Sequence, residues 1–256
     1  MKASVKTFMH ELAEGSGKIL LKYFQKVKHI EKKDHAGIVT EADKFAEDYL
    51  IKRIFKKFPE SSIITEESGE HGKGASLCWV LDPLDGTTNY AHGFPWFCVS
   101  IGLYEDDRPK AGMIYHPITK ELFYAEADKG VWLNNKKVSV SKVDRMEDSL
   151  LGTGFYYSKG ETLRREMEIF RRVNEVALGV RRPGSAALDL AFVACGRYDG
   201  FWERGLAPWD VAAGLIMVTE AGGKLSDYSG KEVNLNSGEI VASNGKLHQQ
   251  MISLIS

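Results

Sequence analysis

The sequence predicts layered α and β structure in two lobes meeting near residues 145–150, and three observations carry this. Apolar stripes of helical period open the chain. Strand-like runs separated by turn residues follow, and from about residue 150 helices and strands alternate. The 256 residues suffice for one large domain or two fused lobes, which we place at residues 1–147 and 148–256 of one compact functional unit. With 43% hydrophobic and 27% charged residues, the chain falls outside the disordered, collagen-like and coiled-coil classes.

Val5, Phe8, Leu12, Ile19, Leu20, Tyr23, Phe24 and Val27 recur at spacings of three and four, which predicts one long opening helix. A second helix starts at Thr40-Glu41-Ala42-Asp43, a capping-box pattern, carries Phe45, Tyr49, Ile54 and Phe58 on its apolar face, and closes at Pro59. The period then becomes strand-like over residues 62–65, 77–81, 97–104, 111–115 and 121–127, with turn-rich joints that favour antiparallel pairing. Beyond a strand at 149–154, a helix over 161–177 is drawn from Leu163, Met167, Phe170, Val173 and Val176. Helices at 185–194, 209–221 and 246–255 alternate with strands at 198–202 and 239–243.

Thirty-four Lys and Arg against 35 Asp and Glu give a net charge of -1, so no global basic field favours nucleic acid. Cys78, Cys98 and Cys195 are isolated among apolar neighbours and read as buried reduced thiols. With no apolar leader segment and no long apolar run, the expectation is a cytoplasmic protein without membrane contact. The histidines show no metal-ligand spacing; His92 and His116 read as loop residues.

The most informative stretch is Trp79-Val80-Leu81-Asp82-Pro83-Leu84-Asp85-Gly86-Thr87-Thr88-Asn89. Its apolar strand is read as ending at Asp82, where Pro83 forbids further ladder pairing. Two carboxylates three residues apart then emerge, followed by free backbone N–H groups. Carboxylates beside such donors make a place where a hard cation and a phosphate share oxygens. Taken alone, the pair also fits a turn with Asp at capping positions. The spacing is not the Asp-x-Asp of aspartyl-phosphate phosphatases.

Asp-Pro-Leu-Asp-Gly-Thr-Thr-Asn resembles instead the signature of the inositol monophosphatase family, the magnesium-dependent, lithium-sensitive phosphatases. Thr65-Glu66-Glu67-Ser68, Arg182-Pro183-Gly184-Ser185-Ala186-Ala187, Asp199-Gly200-Phe201-Trp202-Glu203 and Ala207-Pro208-Trp209-Asp210 are similar to further segments of that family, in its order, from about Asp43 to Gly223. Singly, each has a plainer reading: Glu66 and Glu67 as a solvated strand end, Asp210 as a first-turn acid, Asp43 as a capping-box member. Four acidic positions on separate segments, each at a strand end or helix start, point to one convergent site.

The resemblance implies a sugar-phosphatase type of layered sandwich and hydrolysis of a small phosphate ester. Myo-inositol 1-phosphate or 4-phosphate leads, and fructose 1,6-bisphosphate follows. It implies Glu66, Asp82 and the Leu84 carbonyl around one Mg2+, Asp82, Asp85 and Asp210 around a second, and a third, weaker ion beside Glu66. Thr87 relayed to Asp43 would serve as base, and Gly86 and Thr87 N–H groups would hold a phosphate oxygen. Asp85, Gly184, Ser185, Ala186 and Glu203 would meet the substrate, with Lys32, Glu67 and Arg181 at the loop and rim. Lys32 stands eleven residues before Asp43, as the family's loop lysine does. Arg164, Arg165, Arg171 and Arg172 read chiefly as a solvated helix face. A homodimer is implied too, and, from another class, an interaction protein of the transcription machinery.

Overall fold

The computed structural model describes residues 4–26, 30–32, 38–72, 74–155 and 160–256. The first part comprises α1 (Val5–Tyr23), β1 (Ile30–Lys32), β2 (Ile38–Thr40), α2 (Glu41–Lys57), β3 (Ser62–Thr65), β4 (Gly69–His71), β5 (Leu77–Asp85) and α3 (Thr87–Ala91). A meander of β6 (Cys98–Glu105), β7 (Arg108–His116), β8 (Glu121–Glu126), β9 (Gly130–Leu133) and β10 (Lys136–Val138) follows. The remainder is β11 (Leu150–Thr153), α4 (Glu161–Asn174), β12 (Gly179–Arg181), α5 (Ala186–Ala194), β13 (Gly200–Arg204), α6 (Pro208–Glu220), β14 (Lys224–Ser226), β15 (Glu239–Ser243) and α7 (His248–Ile255).

Two large sheets run β10-β9-β8-β7-β6-β5-β3-β4 and β12-β11-β13-β15-β14. The meander is antiparallel as its turns predict; β3 beside β5 is parallel, as are β12 and β13 beside β11. Strand alternation assigns the layers. Trp79, Leu81, Val99 and Ile101 pack with α1 and α2, whereas Val80, Cys98 and Tyr104 face α5 and α6. In the second sheet Phe201 and Ala242 join α5 and α6, while Trp202 and Val241 join α4 and α7. The order is therefore helices, sheet, helices, sheet, helices. The middle layer shares a core with both sheets, drawn from residues before and after 147.

Several boundaries differ from the sequence expectation. α1 ends at Tyr23, capped at Phe24, because Gln25 turns to φ 59°; Val27 lies outside the described residues. β5 does not stop at Asp82. Asp82 pairs with Ser100 and Asp85 with Cys98, so one extra residue bulges at Pro83 and the ladder resumes. α4 ends at Asn174 and buries Glu166, Ile169 and Val173, leaving Met167 and Val176 exposed. Burial of Glu166 is possible because Arg204 from β13 and the Tyr228 hydroxyl, far along the chain, meet its carboxylate. Cys98 is buried, Cys78 and Cys195 only half-buried, and all three are free. His116 ends strand β7 and is 1% exposed, not in a loop.

His248 yields a stability prediction. It is buried between the Ser243 and Ser226 hydroxyls, each 2.9 Å from a ring nitrogen, and burial pushes its pKa down to about 4. The unfolded chain takes up a proton near pH 6.5 that the folded protein refuses until about 4. Stability is thus complete above 6.5 and declines as pH falls through this window, by up to ~3 kcal/mol from this group. Urea unfolding at pH 7.5 and 4.5 should show a shallower loss in His248→Gln than in wild type; equal losses would refute the assignment.

Candidate active site

A cleft of about 390 Å³ opens where β3, β5, α3, β13, α5 and α6 present their ends. The bulge in β5 delivers two carboxylates to it, Asp82 at 1% and Asp85 at 9% exposure. Glu66 follows the end of β3, and Asp210 is the third residue of α6, where its carboxylate caps the Ala207 N–H at 2.7 Å. Leu84, Gly86, Thr87, Gly184, Ser185, Ala186 and Glu203 complete the predicted residues that line the cleft.

Asp43 sits just behind, at 1% exposure. One of its oxygens accepts from the Thr40 N–H at 2.8 Å and the Thr40 hydroxyl at 2.5 Å, which completes the capping box. The other oxygen faces the Thr87 hydroxyl at 3.2 Å. The capping reading of Asp43 is thus realised, and its second oxygen is left for Thr87. The Thr87 hydroxyl also stands 3.0 Å from the Leu84 carbonyl; having one proton, it donates to one acceptor at a time. Gly86 begins this turn at φ 94°, and a Cβ there would come within 2.8 Å of the Trp96 carbonyl.

Ser185, expected to meet the substrate, lines the cleft and also contacts Asp85. Its hydroxyl donates to Asp85 at 2.6 Å, and the Ala187 N–H reaches the same oxygen at 2.8 Å. The start of α5 therefore grips Asp85. Asn89, part of the signature but given no role there, donates through its amide to the carbonyls of Trp96 and Pro183, both at 2.9 Å.

Two predicted rim residues, Arg181 and Glu67, are not among the described residues that line the cleft. The exposed Arg181 turns its guanidinium to the Val180 carbonyl, and the next residue, Arg182, lines the cleft instead, since successive side chains of an extended segment alternate in direction. The Glu67 N–H is bonded to Glu47. Lys32 ends β1, but its side chain and residues 33–37 lie outside the described residues. On α4, Arg164 pairs with Glu161, and Arg171 with Glu168 and Glu175. Such exposed pairs contribute little, which fits a solvated face rather than an anion site.

The cleft carboxyls disfavour one another's charge. Burial raises Asp82 well above the carboxylate range, and Glu66, Asp85 and Asp210 add to it. Asp210 is raised by burial and by Asp85. Burial takes Asp85 to about 6, against the lowering hydrogen bonds from Ser185 and Ala187, and Asp43 also to about 6. Glu203 reaches about 8 through burial and Asp85, with Arg182 opposing. An all-oxygen donor set whose members repel one another is the chemistry a hard divalent cation relieves, so these residues fit Mg2+ better than zinc or copper. No three of the described His, Cys, Asp or Glu side chains close on one point as they stand.

A family model described as the inositol monophosphatase family matches residues 1–256. The inositol-1-monophosphatase of Synechocystis sp. is 45% identical over 243 residues, 94% of this chain and 85% of that protein. The Nus factor SuhB of Pseudomonas aeruginosa is 39% identical over 250 residues, 95% of this chain and 92% of that one. Among solved structures, the extragenic suppressor protein suhB of Bartonella henselae matches with a TM-score of 0.94 at 37% identity, covering 99% of both chains.

Proposed function

We propose, from the premise that this chain belongs to the inositol monophosphatase family, that it hydrolyses a small polyol phosphate monoester with Mg2+ as cofactor, myo-inositol 1-phosphate or 4-phosphate first. It is a phosphoric monoester hydrolase of that family. The observation that carries the reading is the convergence of Glu66, Asp82, Asp85 and Asp210, from three separate segments, on the cleft that also holds Glu203. Glu66, Asp82 and the Leu84 carbonyl would hold one ion, and Asp82, Asp85 and Asp210 another, with a third held more weakly beside Glu66. When bound, such ions supply Lewis-acid activation of water and charge neutralisation at the phosphate.

The residues of the chain do the rest. Asp43 orients the Thr87 hydroxyl, and the pair forms a path for the proton leaving the attacking water. The Gly86 and Thr87 N–H groups receive a phosphate oxygen. The start of α5 holds Asp85 in place, and Glu203 meets the hydroxyls of the polyol. No described helix is long and apolar enough to cross a membrane, and we take the protein to work as a cytoplasmic homodimer on small molecules.

Two further readings rest on particular observations. Arg182 at the cleft supports a second phosphate, hence fructose 1,6-bisphosphate. The relative named Nus factor SuhB supports an interaction protein. Turnover of inositol 1-phosphate, fructose 1,6-bisphosphate and glycerol phosphate, each with and without Mg2+, separates them. Absence of Mg2+-dependent turnover on every ester would overturn the hydrolase reading.

A prediction on specificity arises at Gly154. A Cβ there would overlap the Glu203 carboxyl group, so the missing side chain makes room for that acid. Gly154→Ala should displace Glu203 and cost the hydrogen bond to the polyol, worth ~1.5–3 kcal/mol, raising KM for inositol 1-phosphate by roughly 10- to 100-fold. KM for p-nitrophenyl phosphate, which has no polyol hydroxyl, should change less than about twofold. Equal increases for both esters would show that Glu203 does not read the polyol.

A further inference from the structure

Glu47 lies one turn beyond Asp43 on the same face of α2, and it is 5% exposed. Its oxygen Oε2 accepts two hydrogen bonds, from the Thr65 hydroxyl at 2.8 Å and from the Glu67 N–H at 3.0 Å. These donors belong to the residues on either side of Glu66. Thr65 is fully buried, so its hydroxyl has no water to replace Glu47. Glu47 is not among the residues that line the cleft. α2 therefore reaches both sides of the site through carboxylates one turn apart: Asp43 to the Thr87 turn, Glu47 to the end of β3.

We propose that Glu47 is a positioning residue: by accepting hydrogen bonds from both neighbours of Glu66 it fixes the strand end that presents Glu66, and so sets Mg2+ affinity. This rests on the reading of Glu66 as a metal-holding residue. The role belongs to the acceptor oxygen and not to the charge, because one oxygen takes both bonds. A glutamine supplies the same oxygen; an alanine leaves a hydroxyl and an N–H without their partner.

The test uses the full chain without substrate. Mg2+ binding is measured by calorimetry, and hydrogen exchange of the Glu67 amide is measured without metal. Glu47→Ala should weaken Mg2+ binding by roughly 10- to 100-fold, the usual cost of removing a group that orients a ligand, and should speed exchange at Glu67. Glu47→Gln should stay within about threefold of wild type in both. Equal losses in Glu47→Gln and Glu47→Ala would mean that charge acts, and unchanged affinity in Glu47→Ala would mean that Glu66 is held without Glu47; either overturns the proposal. If Glu47→Ala does not fold, Glu47→Asp keeps the charge and withdraws the oxygen by one methylene, so a loss is again expected and wild-type affinity overturns it. Glu66→Gln distinguishes the two failures. Undiminished Mg2+ binding there refutes the metal assignment, while exchange at Glu67 still decides whether Glu47 orders the strand end.

Discussion

Asp82→Asn should lower kcat at saturating Mg2+ by roughly a thousandfold, since Lewis-acid stabilisation is worth several kcal/mol and each ~1.4 kcal/mol is tenfold. Asp82 is the carboxylate assigned to both ions, so loss of its charge weakens both positions. The same change should raise the thermal midpoint of the metal-free protein. Asp82 is buried and is repelled by Glu66, Asp85 and Asp210, whereas an asparagine oxygen still accepts from the Leu84 N–H at 3.0 Å. Lower activity with a higher metal-free midpoint distinguishes a functional carboxylate from a structural one. Scanning calorimetry with and without Mg2+, beside steady-state rates, measures both. Turnover within a few-fold of wild type would refute the two-ion assignment, and a lower metal-free midpoint would show that Asp82 supports the fold.

Asp43→Asn should reduce kcat by about 10²- to 10⁴-fold, the span usual for a positioned acid–base group, while leaving tight Mg2+ binding intact. The carboxamide oxygen can still cap Thr40, so α2 keeps its start. Its NH2 group then faces Thr87, where it cannot accept a proton. Single-turnover rates locate the effect in the chemical step. Calorimetry showing a large loss of tight Mg2+ binding would identify Asp43 as a ligand instead of a base partner.

These two residues were legible in the sequence for a physical reason. Strand ends and helix starts are where backbone groups lack partners, so acids placed there stand out against an apolar background. The acidic positions 43, 66, 85 and 210 occupy such places, and Asp82 stands beside the bulge of β5. Glu47 was less visible, because within a helix it looks like any acid of a solvated face. Its i+4 relation to Asp43 was the available signal. Arg181 was named for the rim and Arg182 lines the cleft, since choosing between adjacent residues requires the direction of one extended segment.

The sequence by itself determined the layered architecture, the long helices, the meander and the acids from which the candidate site is built, because periodicity and turn chemistry are local properties. Only the tertiary structure decided the Pro83 bulge, the buried face of α4, the grip of Ser185 on Asp85 and the tie from Glu47 to β3. Each of these depends on a partner 18 or more residues away: Ser100 for the bulge, Arg204 for Glu166, Asp85 for Ser185, Thr65 for Glu47. Local pattern reports which groups need a partner, but packing selects the partner, because desolvation makes an unpaired buried polar group cost ~1–3 kcal/mol and leaves only arrangements that satisfy it.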